Sequence, residues 1–237
     1  MTNSVIENMR SFLELGGPVV AILLVLSVFA VALILLKLVQ FWRERVGFHG
    51  AAQRALHLWV HGSYGDARQV ADADPSAVGS ALAAAMRLSM TRSVPKGVVE
   101  DEVGRIAVGR LHDLQRGFRA LDAIAQISPL LGLFGTVLGM IEAFQQLQGA
   151  GNAVDPSILA GGIWVALLTT AAGLAVAMPV SLALTWFETR VENERVAIET
   201  LTTNFFSQHA LGEIRATSPR TEPSAAGLTG PGASHAH

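Results

Sequence analysis

The stretch "GGIWVALLTTAAGLAVAMPVSLAL", residues 161–184, decides how this chain is read. It carries no charged side chain and exceeds the roughly 20 apolar residues that a helix needs to cross a bilayer. Its centre is not simply greasy. Thr169 and Thr170 sit there among alanines and glycines, and Pro179 follows. Length and composition predict a membrane span. The hydroxyls and small residues predict that one face of it meets protein, because helices in lipid join by close packing and hydrogen bonds.

Two further windows lack charge: "VVAILLVLSVFAVALILL", 19–36, and "AIAQISPLLGLFGTVLGMI", 123–141, while the third extends over 156–187. Charged residues make up 15 % of the 237-residue chain and the mean hydropathy is +0.42. Soluble domains run nearer 25 % charged, so a membrane protein with a sizeable soluble part is expected. A net charge of −2 gives no basis for nucleic-acid binding. The absence of cysteine excludes disulfides and thiol chemistry. No HExxH motif and no Walker-type loop is present. No enzyme activity, metal or cofactor is expected, and energy would come from an ion gradient rather than ATP. The first window is not read as a cleaved signal, since Glu7, Arg10 and Glu14 precede it and Lys37, Arg43 and Arg45 follow.

Lys and Arg alternate from loop to loop. Arg10 alone precedes the first window, twelve lie between Lys37 and Arg119, none lies in the turn between the second and third windows, and four follow the third. Basic residues are retained on the cytoplasmic side. This predicts an outside N-terminus, a cytoplasmic loop of about 80 residues, an outside turn and a cytoplasmic C-terminus. The loop reads helical. Asp74 is the expected N-cap and Pro75 the first residue of one of its helices. After Pro95, apolar residues at Val99, Val103, Ile106, Leu114, Phe118, Leu121 and Ala125 share a helix face, predicting one long helix that rises into the second span. Pro129 is expected to bend it at the surface, since proline removes a backbone donor. Charges in "VVEDEVGRIAVGRLHDLQRGFR" read as a solvated face.

On a helical wheel, Gly132, Thr136, Gly139 and Ala143 share one face of the second span, and Gly162, Ala166, Thr170, Gly173 and Ala177 one face of the third. Small residues so spaced let backbones approach closely. The simpler reading makes both seams glue, each threonine bonding the carbonyl four residues back in its own helix. The other lets the hydroxyls serve a charge brought by another chain.

"ISPLLGLFGTVLGMIEAF" and "LAGGIWVALLTTAAGLAVAMP" resemble the two most characteristic stretches of the MotA/TolQ/ExbB proton-channel family, on the ExbB side of it. The resemblance covers about 60 residues closely. It implies an all-α integral membrane protein of the bacterial inner membrane, three transmembrane helices with long cytoplasmic helical extensions, and a homo-oligomeric, pentameric ring. It implies a single-span ExbD- or TolR-like partner that brings an aspartate into the ring, and a TonB- or TolA-like protein that receives the motion. Carried over by position, the pore threonines fall on Thr136 and Thr170, with Thr169 beside them. Hydroxyls both donate and accept, so a ring of them could hold a carboxylate in either protonation state.

The chain departs from the family at Val165, in "GIWVAL", where many members carry a glutamate. Glu142 is the acid nearest a span interior and lies about 100° or more around the helix from Thr136. It reads as a carboxylate at the outer interface, with a role in admitting protons as the alternative. Trp164 reads as an interface anchor. The rival functions are a TolQ-like envelope-maintenance subunit and a non-conducting scaffold in which Val165 records lost activity. The expected organisation is a periplasmic N-terminus (1–17), spans at 18–40, 123–147 and 157–187, a cytoplasmic helical domain (41–122), a periplasmic turn (148–156), a cytoplasmic helix (188–215) and a disordered tail (216–237).

Overall fold

The computed structural model describes residues 2–91, 94–149 and 156–217. The regular structure among them is helical: α1 (Thr2–Arg43), α2 (Gly50–Val60), α3 (Tyr64–Asp72), α4 (Ala77–Ser89), α5 (Lys96–Gln115), α6 (Phe118–Gly149) and α7 (Pro156–Thr217). The expected turn at 150–155 and the tail from 218 onward lie outside the described residues.

Three stretches are long and apolar enough to cross a membrane, one each in α1, in the α5–α6 run and in α7. In α1 this stretch opens where the helix breaks, at Gly17 with φ 62°. Pro18 follows, its ring fixing a φ suited to a first helical turn. Large apolar side chains on these helices, such as Leu36, Leu130 and Leu182, stand exposed on the single chain. Helices apolar all round face lipid or another chain. The fold is that of a membrane protein.

α6 and α7 run antiparallel in close contact, and α1 lies against both. α7 continues past the start of α6 as one helix to Thr217, and α2, α4 and α5 pack on this continuation. Phe187 lies 5.1 Å from Phe41 and 6.0 Å from Phe118, which joins α1, α6 and α7 in one aromatic contact. Farther along, the ring of Phe205 of α7 lies 5.1 Å from that of Trp59 of α2, tilted by 50°. α4, rich in alanine, is buried on nearly every side, from Ala77 to Met86. A helix apolar all round in a soluble domain is a core helix, and α4 fills the space between α3, α5 and α7.

Two local expectations are corrected. The run after Pro95 does not form one continuous helix into the second span. It breaks at Arg116 and Gly117, where Gly117 has φ 90°. Glycine reaches that left-handed conformation without a Cβ clash. The carbonyls freed at the end of α5 need a partner, and Lys37 of α1 supplies it, its Nζ donating to Leu114 O at 2.9 Å and to Gln40 Oε1 at 2.8 Å. The ammonium also lies 5.5 Å above the Phe118 ring.

The N-cap of α4 is Ser76, not Asp74. Ser76 Oγ accepts from Gly79 N at 2.9 Å, and Asp74 Oδ1 accepts from Ser76 N at 3.0 Å in the turn before it. Asp74 thus closes a turn onto Ser76, and the helix begins two residues later than expected, at Ala77. A Cβ at position 79 would stand 2.6 Å from Asp74 Cβ, so glycine there lets the turn fold over the first helical turn.

Candidate functional site

α6 and α7 approach closely along one seam. An added Cβ at Gly173 would lie 2.5 Å from Ser128 O and 3.1 Å from Gly132 Cα. One at Gly132 would lie 2.9 Å from Thr169 O. Farther along, Gly139 faces Ala166 and Gly162 faces Ala143. The neighbours at these points are backbone or methyl, so the seam is built of glycine, alanine, serine and threonine. Ser128, fully buried, returns its hydroxyl to Ile124 O at 2.7 Å.

The seam is offset from the wheel reading on both helices. The buried row of α7 contains Thr169, 1 % exposed, with Thr170 half-buried beside it. On α6 the row contains Gly135, and Thr136 is half-buried beside it. Helical geometry gives the reason. At 100° per residue, Thr169 falls about 20° to one side of Gly162 and Thr170 about 80° to the other. Gly135 and Thr136 likewise straddle Gly132, and the smaller residue takes the tighter place.

This sorts the hydroxyls onto two flanks. A Cβ on Gly135 would meet Thr169 Oγ1 at 2.6 Å, so these two share one flank. In an antiparallel pair the opposite offsets coincide too, which puts Thr136 and Thr170 on the other flank. Thr136 Oγ1 donates to Leu133 O at 2.6 Å, three residues back rather than four. Thr169 Oγ1 lies 2.8 Å from Ala166 O and 3.3 Å from Gly132 O. Thr170 Oγ1 reaches Gly132 O at 3.3 Å as well. The Gly132 carbonyl is therefore shared by hydroxyls from the two flanks.

On the Thr169 flank, α1 closes a cavity of about 580 Å³. Gly17, Pro18 and Val19 form its α1 wall, and Val165 and Thr169 stand in its α7 wall. Glu142, exposed on α6, lines it beside Gly139. The wheel separated Glu142 from Thr136 but gave no sign that α1 would enclose it with Val165 and Thr169. Pro129 and Pro179 both lie inside continuous helices, α6 and α7. Each leaves the carbonyl four residues earlier without its helical donor. Trp164 is exposed on α7.

Among the described residues, no group of three or more His, Cys, Asp or Glu side chains converges as a metal site would require. What the arrangement offers is a file of hydroxyls and one carboxylate within apolar helices.

The profile of the family described as the MotA/TolQ/ExbB proton channel family matches residues 75–200, which take in α4, α5, α6 and the first two-thirds of α7. The chain is 45 % identical over 84 residues to the biopolymer transport protein exbB1 of Vibrio cholerae, covering 35 % of this chain and 37 % of that one. It is 33 % identical over 125 residues to the Tol-Pal system protein TolQ of Pseudomonas aeruginosa, covering 53 % and 46 %. With the biopolymer transport protein ExbB of Neisseria meningitidis the identity is 28 % over 193 residues, 74 % of this chain and 85 % of the relative. The chain thus spans little more than a third of the Vibrio relative's length.

Proposed function

For a chain that belongs to the MotA/TolQ/ExbB proton channel family, we propose the role of stator subunit in an inner-membrane motor. Copies of it form a homo-oligomeric ring, a pentamer, around the single spans of an ExbD- or TolR-like partner. The flank bearing Thr136 and Thr170 faces that partner, whose aspartate supplies the charge missing from that flank. An ionisable group at mid-membrane is costly and functional where it occurs. Protons cross at that carboxylate, and a TonB-like protein carries the resulting motion toward transport at the outer membrane. The N-terminus and the α6–α7 turn lie in the periplasm, and α2–α5 in the cytoplasm.

One observation carries this reading. Thr136 and Thr170 lie half-buried on one flank of the seam, and the hydrogen bonds of their hydroxyls go to backbone carbonyls. Each keeps lone pairs for a further donor. Thr169 is buried in the seam and is assigned to packing and to the polar link across it.

The test is proton flux in liposomes holding this chain with its single-span partner. Thr136→Val and Thr170→Val should each abolish flux with the ring intact. Normal flux in both variants would remove the pore assignment. The TolQ match keeps a second client in view: co-purification of a TolA-like rather than a TonB-like protein would place the chain in envelope maintenance. A ring that assembles with its partner but passes no protons would make it a scaffold.

A further inference from the structure

Glu142 is the only acid on α6 beyond Asp122, and it is an exposed side chain that lines the α1–α6–α7 cavity. Among residues 17–91, 94–149 and 156–208, no other titratable side chain lines that cavity. Its α1 wall is Gly17, Pro18 and Val19, its α7 wall includes Ser157, Gly161, Gly162 and Val165, and Gln146 joins Glu142 on α6. The walls near Glu142 are thus largely bare backbone or small side chains, which leaves room for water. The cavity lies where α1 begins its apolar stretch, α6 ends and α7 begins, toward one end of the three apolar stretches. Its inner end is Thr169.

Thr169 connects this cavity to the opposite flank. Its single hydroxyl proton can go to Ala166 O or to Gly132 O, at 2.8 and 3.3 Å, and Thr170 reaches the same Gly132 carbonyl from the other side. A carboxylate in an aqueous pocket, followed by a hydroxyl with two alternative acceptors, is a chemistry suited to loading and passing protons.

We propose that the cavity between α1, α6 and α7 is a proton-loading vestibule and that Glu142 is its proton-binding group. The Glu142 carboxylate takes a proton from water at the cavity mouth, becomes neutral, and releases it to water held against Thr169, which returns the carboxylate to its charged form. No other co-reactant is required. The inference rests on the proposed channel function and adds to it a site on this chain's own helices, away from the flank that faces the partner.

The experiment is proton flux in liposomes holding the full chain with its single-span partner. Glu142→Gln, nearly isosteric, should lower flux at least about tenfold while native mass spectrometry shows an unchanged ring. The double variant Glu142→Gln/Val165→Glu returns a carboxylate to the same cavity from α7 and should recover most of the flux. Unchanged flux in Glu142→Gln overturns the proposal. So does a loss that the second carboxylate fails to restore, because the fall would then not be due to charge in the cavity. A wild-type complex without flux would instead refute the channel reading beneath it, so the two failures are told apart.

Discussion

Glu194 and His49 meet in the interior of the helical domain, with Glu194 Oε2 2.9 Å from His49 Nε2. The same oxygen accepts from Gly47 N at 3.0 Å. Glu194 is fully buried, so one α7 carboxylate holds the turn that follows α1. Gly47 has φ 89°, and Arg45 also has positive φ, at 47°. The turn is therefore one that needs an outside tie.

Glu194→Leu should strand the Gly47 amide and the imidazole, costing about 1–3 kcal/mol for the buried groups left unpaired. Glu194→Gln keeps an acceptor for Gly47 and should cost less. Thermal unfolding in detergent should rank the three proteins wild type, Gln variant, Leu variant, in falling order of stability.

Gly173→Ala should force α6 and α7 apart, because its methyl would meet the Ser128 carbonyl and the Gly132 backbone, neither of which can yield. A cost of about 1–3 kcal/mol follows from overpacking. Gly161→Ala is the control, since nothing stands within 4 Å of a Cβ there. Unfolding of the two variants side by side should show a loss in the first and almost none in the second.

Thr169→Val preserves shape and removes the buried hydroxyl. It should cost stability by about 0.5–2 kcal/mol, the range for hydrogen bonds between membrane helices. Thr136→Val and Thr170→Val should leave stability nearly unchanged and act on flux. Measuring both quantities for all three variants tells the buried threonine, whose loss should lower stability, from Thr136 and Thr170, whose loss should not.

Gly117→Ala should cost about 1–2 kcal/mol for placing a Cβ in the left-handed region. Lys37→Met removes the donor to Leu114 O while keeping the stem, so it should loosen the same joint. Limited proteolysis between α5 and α6 should quicken in both variants relative to wild type.

Much of the fold could be read directly. The uncharged windows marked three spans because lipid tolerates so little else, and the small residues marked the face where two of them meet. Finer features escaped for stated physical reasons. Apolar spacing continues through Arg116 and Gly117, so periodicity could not show a break that depends on one φ angle. Asp74 and Ser76 are both good caps two residues apart, and nothing local in the sequence chooses between them. The seam offset turns on whether residue 169 or 170 lies nearer the contact line, which the wheel gives only when both helices are placed together. The cavity around Glu142 needed α1, whose side of the bundle no local pattern records.

α7 runs unbroken from Pro156 to Thr217. At 1.5 Å per residue its 62 residues form a rod about 90 Å long. Such a rod is a lever. Pivoted near its middle, a lean of about 5° swings either tip by roughly 4 Å. The Phe205–Trp59 and Glu194–His49 contacts clamp the distal half to its surrounding helices, so a small reorientation within the bilayer would sweep that whole assembly sideways.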